Sequence, residues 1–148
     1  MKGISNGNEL QGRTAIITGA SQGLGLEIAM RYVAAGASVI ICARDEGMLS
    51  EAADVLKRSA SNDQVISHIV ADVAESESVD ALIDFAIDKM GRVDILVNNA
   101  GIYGPKGPAD SIDWAQWVQA INANLLGSVL MCRAIAGFEE KGPELLKE

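Results

Sequence analysis

The sequence is poor in basic residues and in cysteine. It has 12 lysine and arginine residues against 20 aspartate and glutamate residues, which gives a net charge of −8 and a pI near 4.6. Because such a charge repels polyanions, we expect no binding to nucleic acid or to an anionic membrane surface. The two cysteines, Cys42 and Cys132, lie in apolar runs without CxxC spacing. We therefore predict buried, reduced thiols and no metal site.

Long apolar runs are also lacking. We find no continuous apolar stretch of about 18 residues, the length that a membrane-spanning helix needs. The first residues, Met1–Asn6, lack the apolar core of a signal peptide. The sequence therefore predicts neither a membrane-spanning nor an exported protein, and a cytoplasmic location is the default expectation.

The sequence does contain a regular alternation of short apolar runs and helical patterns. With 148 residues and 49% hydrophobic content it has the size of one domain. Strict alternation of strands and helices predicts an α/β fold with a parallel sheet. The predicted strands cover residues 14–18, 38–42, 65–70 and 94–97, and helices begin near residues 24, 45 and 76 or 78. A further helical pattern over residues 112–138 is predicted to break into two helices. The domain is predicted to cover residues 13–138, after a polar lead (1–12) and before a charged tail (139–148).

A glycine-rich turn, Thr18–Gly25, follows the first predicted strand and opens the first helix. In this context backbone N–H groups and the positive end of the helix face a pyrophosphate. Gly19 permits a tight turn, Gly23 leaves room for a diphosphate, and Gly25 lets the helix pack against the strand. The alternative is a structural loop with incidental glycines. The candidate cofactor-binding residues of this turn are Gly19, Ser21, Gln22, Gly23, Leu24 and Gly25.

The TGxxxGxG spacing of this turn resembles that of the short-chain dehydrogenase/reductase family. The second signature of that family, NNAG, appears at residues 98–101, just after the fourth predicted strand. The resemblance covers about residues 10–138 and implies a dinucleotide-binding, Rossmann-like three-layer αβα sandwich with strand order 3-2-1-4. It also implies that the aspartate after the third strand accepts a hydrogen bond from the adenine amino group. The cofactor-binding positions carried over are Asp72, Val73, Asn98, Ala100 and Gly101.

The end of the second predicted strand distinguishes the two nicotinamide cofactors. Enzymes that use NAD(H) place an acidic side chain there, whose charge repels a 2′-phosphate. By the family's pattern Ala43 occupies this acidic position, and the adjacent Arg44 can pair with the phosphate. NADP(H) is therefore favoured over NAD(H). In the alternative interpretation Arg44 is a surface charge of the next helix, and Asp45 could neutralise it.

Transfer of hydride to a carbonyl also needs a proton donor. In the resembled family this donor is the Tyr of a YxxxK motif, assisted by a Ser, and the sequence contains no YxxxK. Neither Tyr32 nor Tyr103 matches it. The family's helix Asn, which holds a water between the catalytic Lys and solvent, matches Asn124 best and Asn122 second. We predict an NADP(H)-dependent oxidoreductase that interconverts an alcohol and a carbonyl, with its catalytic half absent from this chain. The alternative is a dinucleotide-binding module without catalysis.

In the resembled family the fourth strand is interior. Residues 93–97 are therefore expected to form an unpaired apolar edge in this chain, and such edges favour association. The helical pattern over residues 112–138 would also lose a partner helix, and Trp114 and Trp117 are expected to pack it onto the sheet. We expect self-association, a complementary chain, or a shortened product of a longer gene. A small alcohol or carbonyl substrate is expected only if the site is completed.

Overall fold

The computed structural model describes residues 8–141, and side chains as far as residue 138. The predicted lead and tail therefore lie partly outside the described residues. The strands are β1 (Thr14–Thr18), β2 (Ser38–Ala43), β3 (Ile66–Val70) and β4 (Ile95–Val97). The helices are α1 (Gly23–Ala34), α2 (Glu46–Ser59), α3 (Ser76–Met90), α4 (Trp114–Ile121) and α5 (Gly127–Lys141), with a π-helical turn at Asn122–Leu126 between the last two.

The four described strands form one parallel sheet in the order β3-β2-β1-β4. The predicted α/β class, parallel sheet and strand order are thereby confirmed. In the register, Ile16 of β1 lies between Ile40 of β2 and Leu96 of β4. All five residues of β1 are buried, because helices cover both faces of this central strand.

The two faces of the sheet carry separate apolar cores, which confirms the three-layer sandwich. On one face Ile17 and Ile41 pack with Leu49 and other buried residues of α1 and α2. On the other face Ile16 packs with α3 and with Met131 of α5, which is fully buried. Alternate residues of each strand thus point to opposite layers, as the pleat requires.

Asp94 ties β4 to the start of β1 at the end of the sheet remote from the glycine-rich turn. Its carboxylate accepts hydrogen bonds from the backbone N–H of Thr14 at 2.9 Å and from the Thr14 hydroxyl at 3.0 Å. Arg13 and Arg92 pair with the same carboxylate. Burial alone would raise the pKa of Asp94, but the bonds from Thr14 and Arg92 outweigh it, so that this pKa lies below its ordinary value of 3.8.

We expect Asp94→Ala to lower the free energy of unfolding by about 2 kcal/mol, since it leaves the backbone N–H of Thr14 without an acceptor, while the Thr14 hydroxyl keeps its bond to the carbonyl oxygen of Arg92. The folded-state pKa of Asp94 is depressed, so its contribution is fully present above pH 3.8 and is lost as the pH falls through the lower folded value. Urea denaturation at pH 7 and at pH 3 measures both effects. Asp88→Ala is the control, because the Asp88 side chain is 75% exposed and its removal should change stability by less than about 0.5 kcal/mol. Equal losses in both variants would contradict the role of Asp94.

The stretch Trp114–Phe138 bears on two expectations, the absence of a membrane-spanning helix and the packing of the two tryptophans. It is a 25-residue helical run that contains an 18-residue window with a mean hydropathy of 1.3. By length and composition this run is enough to cross a membrane, although the core helix of a soluble protein passes the same test. The prediction that Trp114 and Trp117 pack onto the sheet is wrong, because they are 70% and 42% exposed. The physical reason is that α4 turns only one small residue, Ala120, into the core.

Candidate functional site

A two-part cleft lies at the carboxyl ends of the strands, where the strand order reverses between β1 and β4. This is the position at which open parallel sheets bind ligands. The first part, here the Arg44 lobe, has a volume of about 280 Å³ and is also bordered by Ser21, Met48 and residues 71–73. The second part, the Asn124 lobe, has a volume of about 580 Å³ and is also bordered by Leu24, residues 98–99, Tyr103 and Ser128. Both lobes share five residues, Gly19, Gln22, Ala100, Gly101 and Ile102.

Three glycines shape the turn between the two lobes. Gly19 has φ of +64°, and a Cβ there would lie 2.7 Å from the Cα of Ala100. A Cβ on Gly25 would lie 2.5 Å from both the Gly19 carbonyl oxygen and the Asn99 amide nitrogen. Gly23 has φ of +60° and only open space where its Cβ would be. Gly19 and Gly25 therefore allow close packing within the protein, whereas Gly23 leaves the surface of the turn free.

The N-terminus of α1 lacks the side-chain cap that α2 and α4 have, and unlike α3 it also lacks an acidic residue in its first turn. Its N-cap residue, Gln22, makes no side-chain hydrogen bond, and its first turn contains no acidic residue. By contrast, Asp45 caps α2 and Asp113 caps α4 through hydrogen bonds to backbone N–H groups. The first N–H groups of a helix have no partner within it, so those of α1 remain available. An anionic group such as a diphosphate fits this position.

Thr18 and Asn99 fasten the glycine-rich turn to the NNAG segment. The Asn99 amide nitrogen donates to the carbonyl oxygens of Thr18 and Gly19, both at 3.0 Å. The Thr18 hydroxyl accepts from the N–H groups of Asn99 at 3.1 Å and Ala100 at 3.0 Å. Thr18 and Asn99 are not among the site residues predicted from the sequence. The sequence feature that could have indicated Asn99 is the pair of adjacent asparagines in NNAG, because one of them can face the cleft while the next faces the turn.

In the Arg44 lobe, the exposed Arg44 forms no ion pair with any residue between 8 and 138. Asp45 does not neutralise it, since the Asp45 carboxylate accepts from the N–H of Met48 at 2.8 Å. Across the lobe, Asp72 uses one carboxylate oxygen to accept from the N–H of Ala74 at 2.9 Å. Its other oxygen has no hydrogen-bond partner in the described part of the chain. A cation and an acceptor thus face one cavity, and Val73 is buried beneath it.

The two cysteines differ from each other. Cys42 is 1% exposed beside the Arg44 lobe, and burial raises the pKa of its thiol to about 12 despite a hydrogen bond from the Gly19 backbone. It is therefore a neutral thiol at physiological pH, and the prediction that it is buried is confirmed. The prediction that Cys132 is buried is wrong, because it is exposed. Its face of α5 flanks β4, the edge strand of the described sheet, beyond which no described strand covers it.

Asn124 lies in the π-helical turn and holds the loop that follows the NNAG segment. Its side-chain oxygen accepts from the N–H of Ile102 at 2.8 Å, and its side-chain nitrogen donates to the carbonyl oxygen of Ile102 at 2.9 Å. A Cβ on Gly101 would lie 3.1 Å from the same oxygen. Asn122, the second choice, makes no such contact in the described residues. That Asn124 holds a water between a catalytic Lys and solvent stays a prediction, and what the structure shows is that it fixes the loop at Ile102 by two hydrogen bonds.

The predicted break in the long helical pattern is instead this π-helical turn, with helix on both sides. A π turn accommodates one extra residue without ending the helix, and such turns are frequent at functional sites. Here the π turn places Asn124 within hydrogen-bonding distance of Ile102. Directly after the turn, Gly127 packs against Val73, and a Cβ on Gly127 would lie 2.8 Å from the nearest side-chain atom of Val73.

Comparison with known proteins identifies the family. The sequence matches the short chain dehydrogenase family over residues 13–142. It is 38% identical over 130 residues to chlorophyll(ide) b reductase NOL, chloroplastic, of Oryza sativa subsp. japonica, and the aligned region covers 86% of this chain and 37% of that protein. A crystal structure of a short chain dehydrogenase from Mycobacterium smegmatis is 33% identical with a TM-score of 0.81, covering 90% of this chain and 55% of that one. The chain belongs to the short chain dehydrogenase family.

The family relation gives the coarse function. Its members are oxidoreductases that bind nicotinamide dinucleotides; the structure of NAD+-bound xylitol dehydrogenase shares the fold with a TM-score of 0.81 at 23% identity, covering 86% of this chain and 48% of that one. The chain spans about half the length of the curated relatives it matches, or less. The activity of a whole family member is therefore a matter of proposal for this chain.

Proposed function

We propose that this chain provides the cofactor-binding part of an NADP(H)-dependent oxidoreductase that interconverts an alcohol and a carbonyl. The observation that carries the proposal is the uncapped N-terminus of α1, held by Thr18 and Asn99 against the NNAG segment, with the unpaired Arg44 at one end of the same cleft. An open helix N-terminus and a free guanidinium are the two groups that the diphosphate and the 2′-phosphate of NADP(H) require.

The residues divide between the two lobes. In the Arg44 lobe, Arg44 would pair with the 2′-phosphate and the free oxygen of Asp72 would accept from the adenine amino group. The turn 19–25 would hold the diphosphate between the lobes, with Gly23 leaving room for it. Residues 98, 100 and 101 border the Asn124 lobe, where the reacting carbon of the substrate would lie.

The chemistry proper needs groups from both the cofactor and the protein. When bound, NADP(H) supplies or accepts the hydride. The protein must supply a proton donor near the carbonyl oxygen. Because this sequence contains no YxxxK motif, we propose that the donor comes from a further part of a longer chain or from a partner chain. Asn124 would keep the loop at Ile102 in place beside the reacting centre.

Titration with NADPH tests the proposal. We expect the fluorescence of NADPH to rise on addition of the chain and to fall again when NADP+ competes. Absence of any NADPH binding by a folded chain would refute it. A far-ultraviolet circular dichroism spectrum recorded on the same sample shows whether the chain is folded.

A second candidate, a dinucleotide-binding module without catalysis, is supported by the combination of a complete glycine-rich turn and a sequence without YxxxK. The two candidates differ in turnover. If the chain binds NADPH but oxidises it with no member of a panel of aldehydes and ketones, the module describes the isolated chain. Measurable turnover would exclude the module.

We also propose that the chain associates through β4 and the apolar face of the helical run beside it. Ile121, Leu125 and Val129 are 41%, 56% and 54% exposed along this run. Light scattering after size exclusion should give a mass above 15.5 kDa. A stable monomer would contradict this proposal.

For location we propose the cytoplasm, a compartment that keeps thiols such as Cys42 and Cys132 reduced.

A further inference from the structure

The loop between β4 and α4 presents an exposed aromatic ring at the Asn124 lobe. Tyr103 is 92% exposed, yet it borders the cleft together with Asn124 and Leu24. Lys106 extends over the ring, with its Nζ 5.5 Å from the ring centroid. This distance is within the range of a cation–π contact. The ammonium group is thus held at the rim of the lobe.

The backbone on both sides of Tyr103 is anchored. On one side, both polar backbone groups of Ile102 are hydrogen-bonded by Asn124. On the other side, Gly104 lies against α4, where a Cβ would be 3.4 Å from Ala120 and 3.9 Å from the Trp117 ring. The exposed ring is therefore presented by a fixed backbone rather than by a loose loop.

Lys106 has no carboxylate partner among the residues whose side chains are described. Most cations in that part of the chain form ion pairs with a carboxylate, for example Arg31 with Glu27 and Arg92 with Asp94. Nearby, Asp113 is engaged in capping α4. Four cations with described side chains have no such partner, namely Arg44, Arg58, Lys106 and Arg133. Arg44 borders the Arg44 lobe, and Lys106 lies over Tyr103, which borders the Asn124 lobe.

We propose that Tyr103 and Lys106 form a substrate-binding rim that selects carbonyl or alcohol substrates bearing an anionic group such as a carboxylate. The inference rests on the proposed function, which places the reacting carbon in the Asn124 lobe. Lys106 pairs with the anion and Tyr103 supports the chain of the substrate beside it. In a protein with a net charge of −8, a local unpaired cation is what makes an anionic substrate acceptable at this rim.

Two ketones that differ in charge and by one methyl group test this selection, namely 4-oxopentanoate and its methyl ester. The chain has two tyrosines, Tyr32 and Tyr103, so fluorotyrosine labelling gives two fluorine resonances, which Tyr32→Phe assigns. With NADP+ present, 4-oxopentanoate should shift the Tyr103 resonance and bind about 3- to 5-fold more tightly than the ester, as one solvent-exposed ion pair allows.

Substitutions then assign the preference to Lys106. Lys106→Met should make the two dissociation constants equal, and Lys106→Arg should restore the difference. Lys89→Met is the matched control, because Lys89 lies 5.6 Å over the Phe85 ring on α3, outside the cleft. This control should leave the preference unchanged.

The outcomes separate the inference from the proposed function. Equal or unmeasurable binding of the two ketones, or a preference that survives Lys106→Met, overturns the inference even if NADPH binds. If NADPH does not bind but the acid is still preferred through Lys106, the proposed function fails while the anion-selective rim stands.

Discussion

Replacing Gly25 with alanine is expected to lower the free energy of unfolding by about 3 kcal/mol and to abolish measurable binding of NADPH. The added methyl group would lie 2.5 Å from the Gly19 carbonyl oxygen and 2.9 Å from the Cα of Ala20. Both are backbone atoms, which cannot rotate away as the end of a side chain would. Overpacking of this kind typically costs about 1–3 kcal/mol, and a contact with backbone lies at the upper end.

The loss of binding follows from the position of the clash. The methyl group would also displace the amide nitrogen of Asn99, which donates to Thr18 and Gly19. These bonds join the glycine-rich turn to the NNAG segment, so both borders of the cleft would move. Urea denaturation and NADPH titration measure the two effects on one preparation.

Gly137→Ala is a closely matched control for this variant. Gly137 also lies in a helix, α5, but a Cβ there would meet nothing within 4 Å. Because alanine is a better helix former than glycine, this variant should gain about 0.5–1 kcal/mol and bind NADPH normally. If Gly25→Ala behaved like Gly137→Ala, the packing role of Gly25 would be refuted.

The alternation of strands and helices was predictable because it depends on local pattern, whereas the three layers and the strand order were implied by the family resemblance. The run Thr14–Thr18, with three consecutive apolar residues between two threonines, is compatible with a strand covered on both faces. The cap of α2 was equally local, since an aspartate before a helix, here Asp45, accepts from an N–H three residues on. In both cases the determining interactions lie within a few residues of each other.

The features that escaped prediction depend on contacts between distant parts of the chain. Asn99 bonds to Thr18, about eighty residues away, and Asn124 bonds to Ile102 across the cleft. The π-helical turn that carries Asn124 has no pattern of its own in the sequence. Cys132 was misplaced for the same reason, because its apolar neighbours indicate a helix face but not whether another element covers that face.

Arg44→Ala is expected to weaken the binding of NADPH about 10-fold while changing the binding of NADH by less than about 2-fold. Arg44 is exposed and has no carboxylate partner in the described residues, so its guanidinium is free to pair with a 2′-phosphate. A charge-assisted hydrogen bond to a phosphate contributes roughly 1.5–3 kcal/mol, and exposure to solvent places this pair at the lower end. Since 1.4 kcal/mol corresponds to a factor of ten, the expected ratio follows.

Fluorescence titrations with the two cofactors at low and at high salt distinguish a direct pair from a general effect of charge. Arg58→Ala removes the same charge from α2 at a position outside the cleft, and it should leave both dissociation constants unchanged. The preference of the unmodified chain for NADPH should also weaken with salt, because the pair is exposed. If the unmodified chain binds NADH as tightly as NADPH, then Ala43 and Arg44 do not select the cofactor, and the proposal of NADP(H) is wrong even though the dinucleotide site remains.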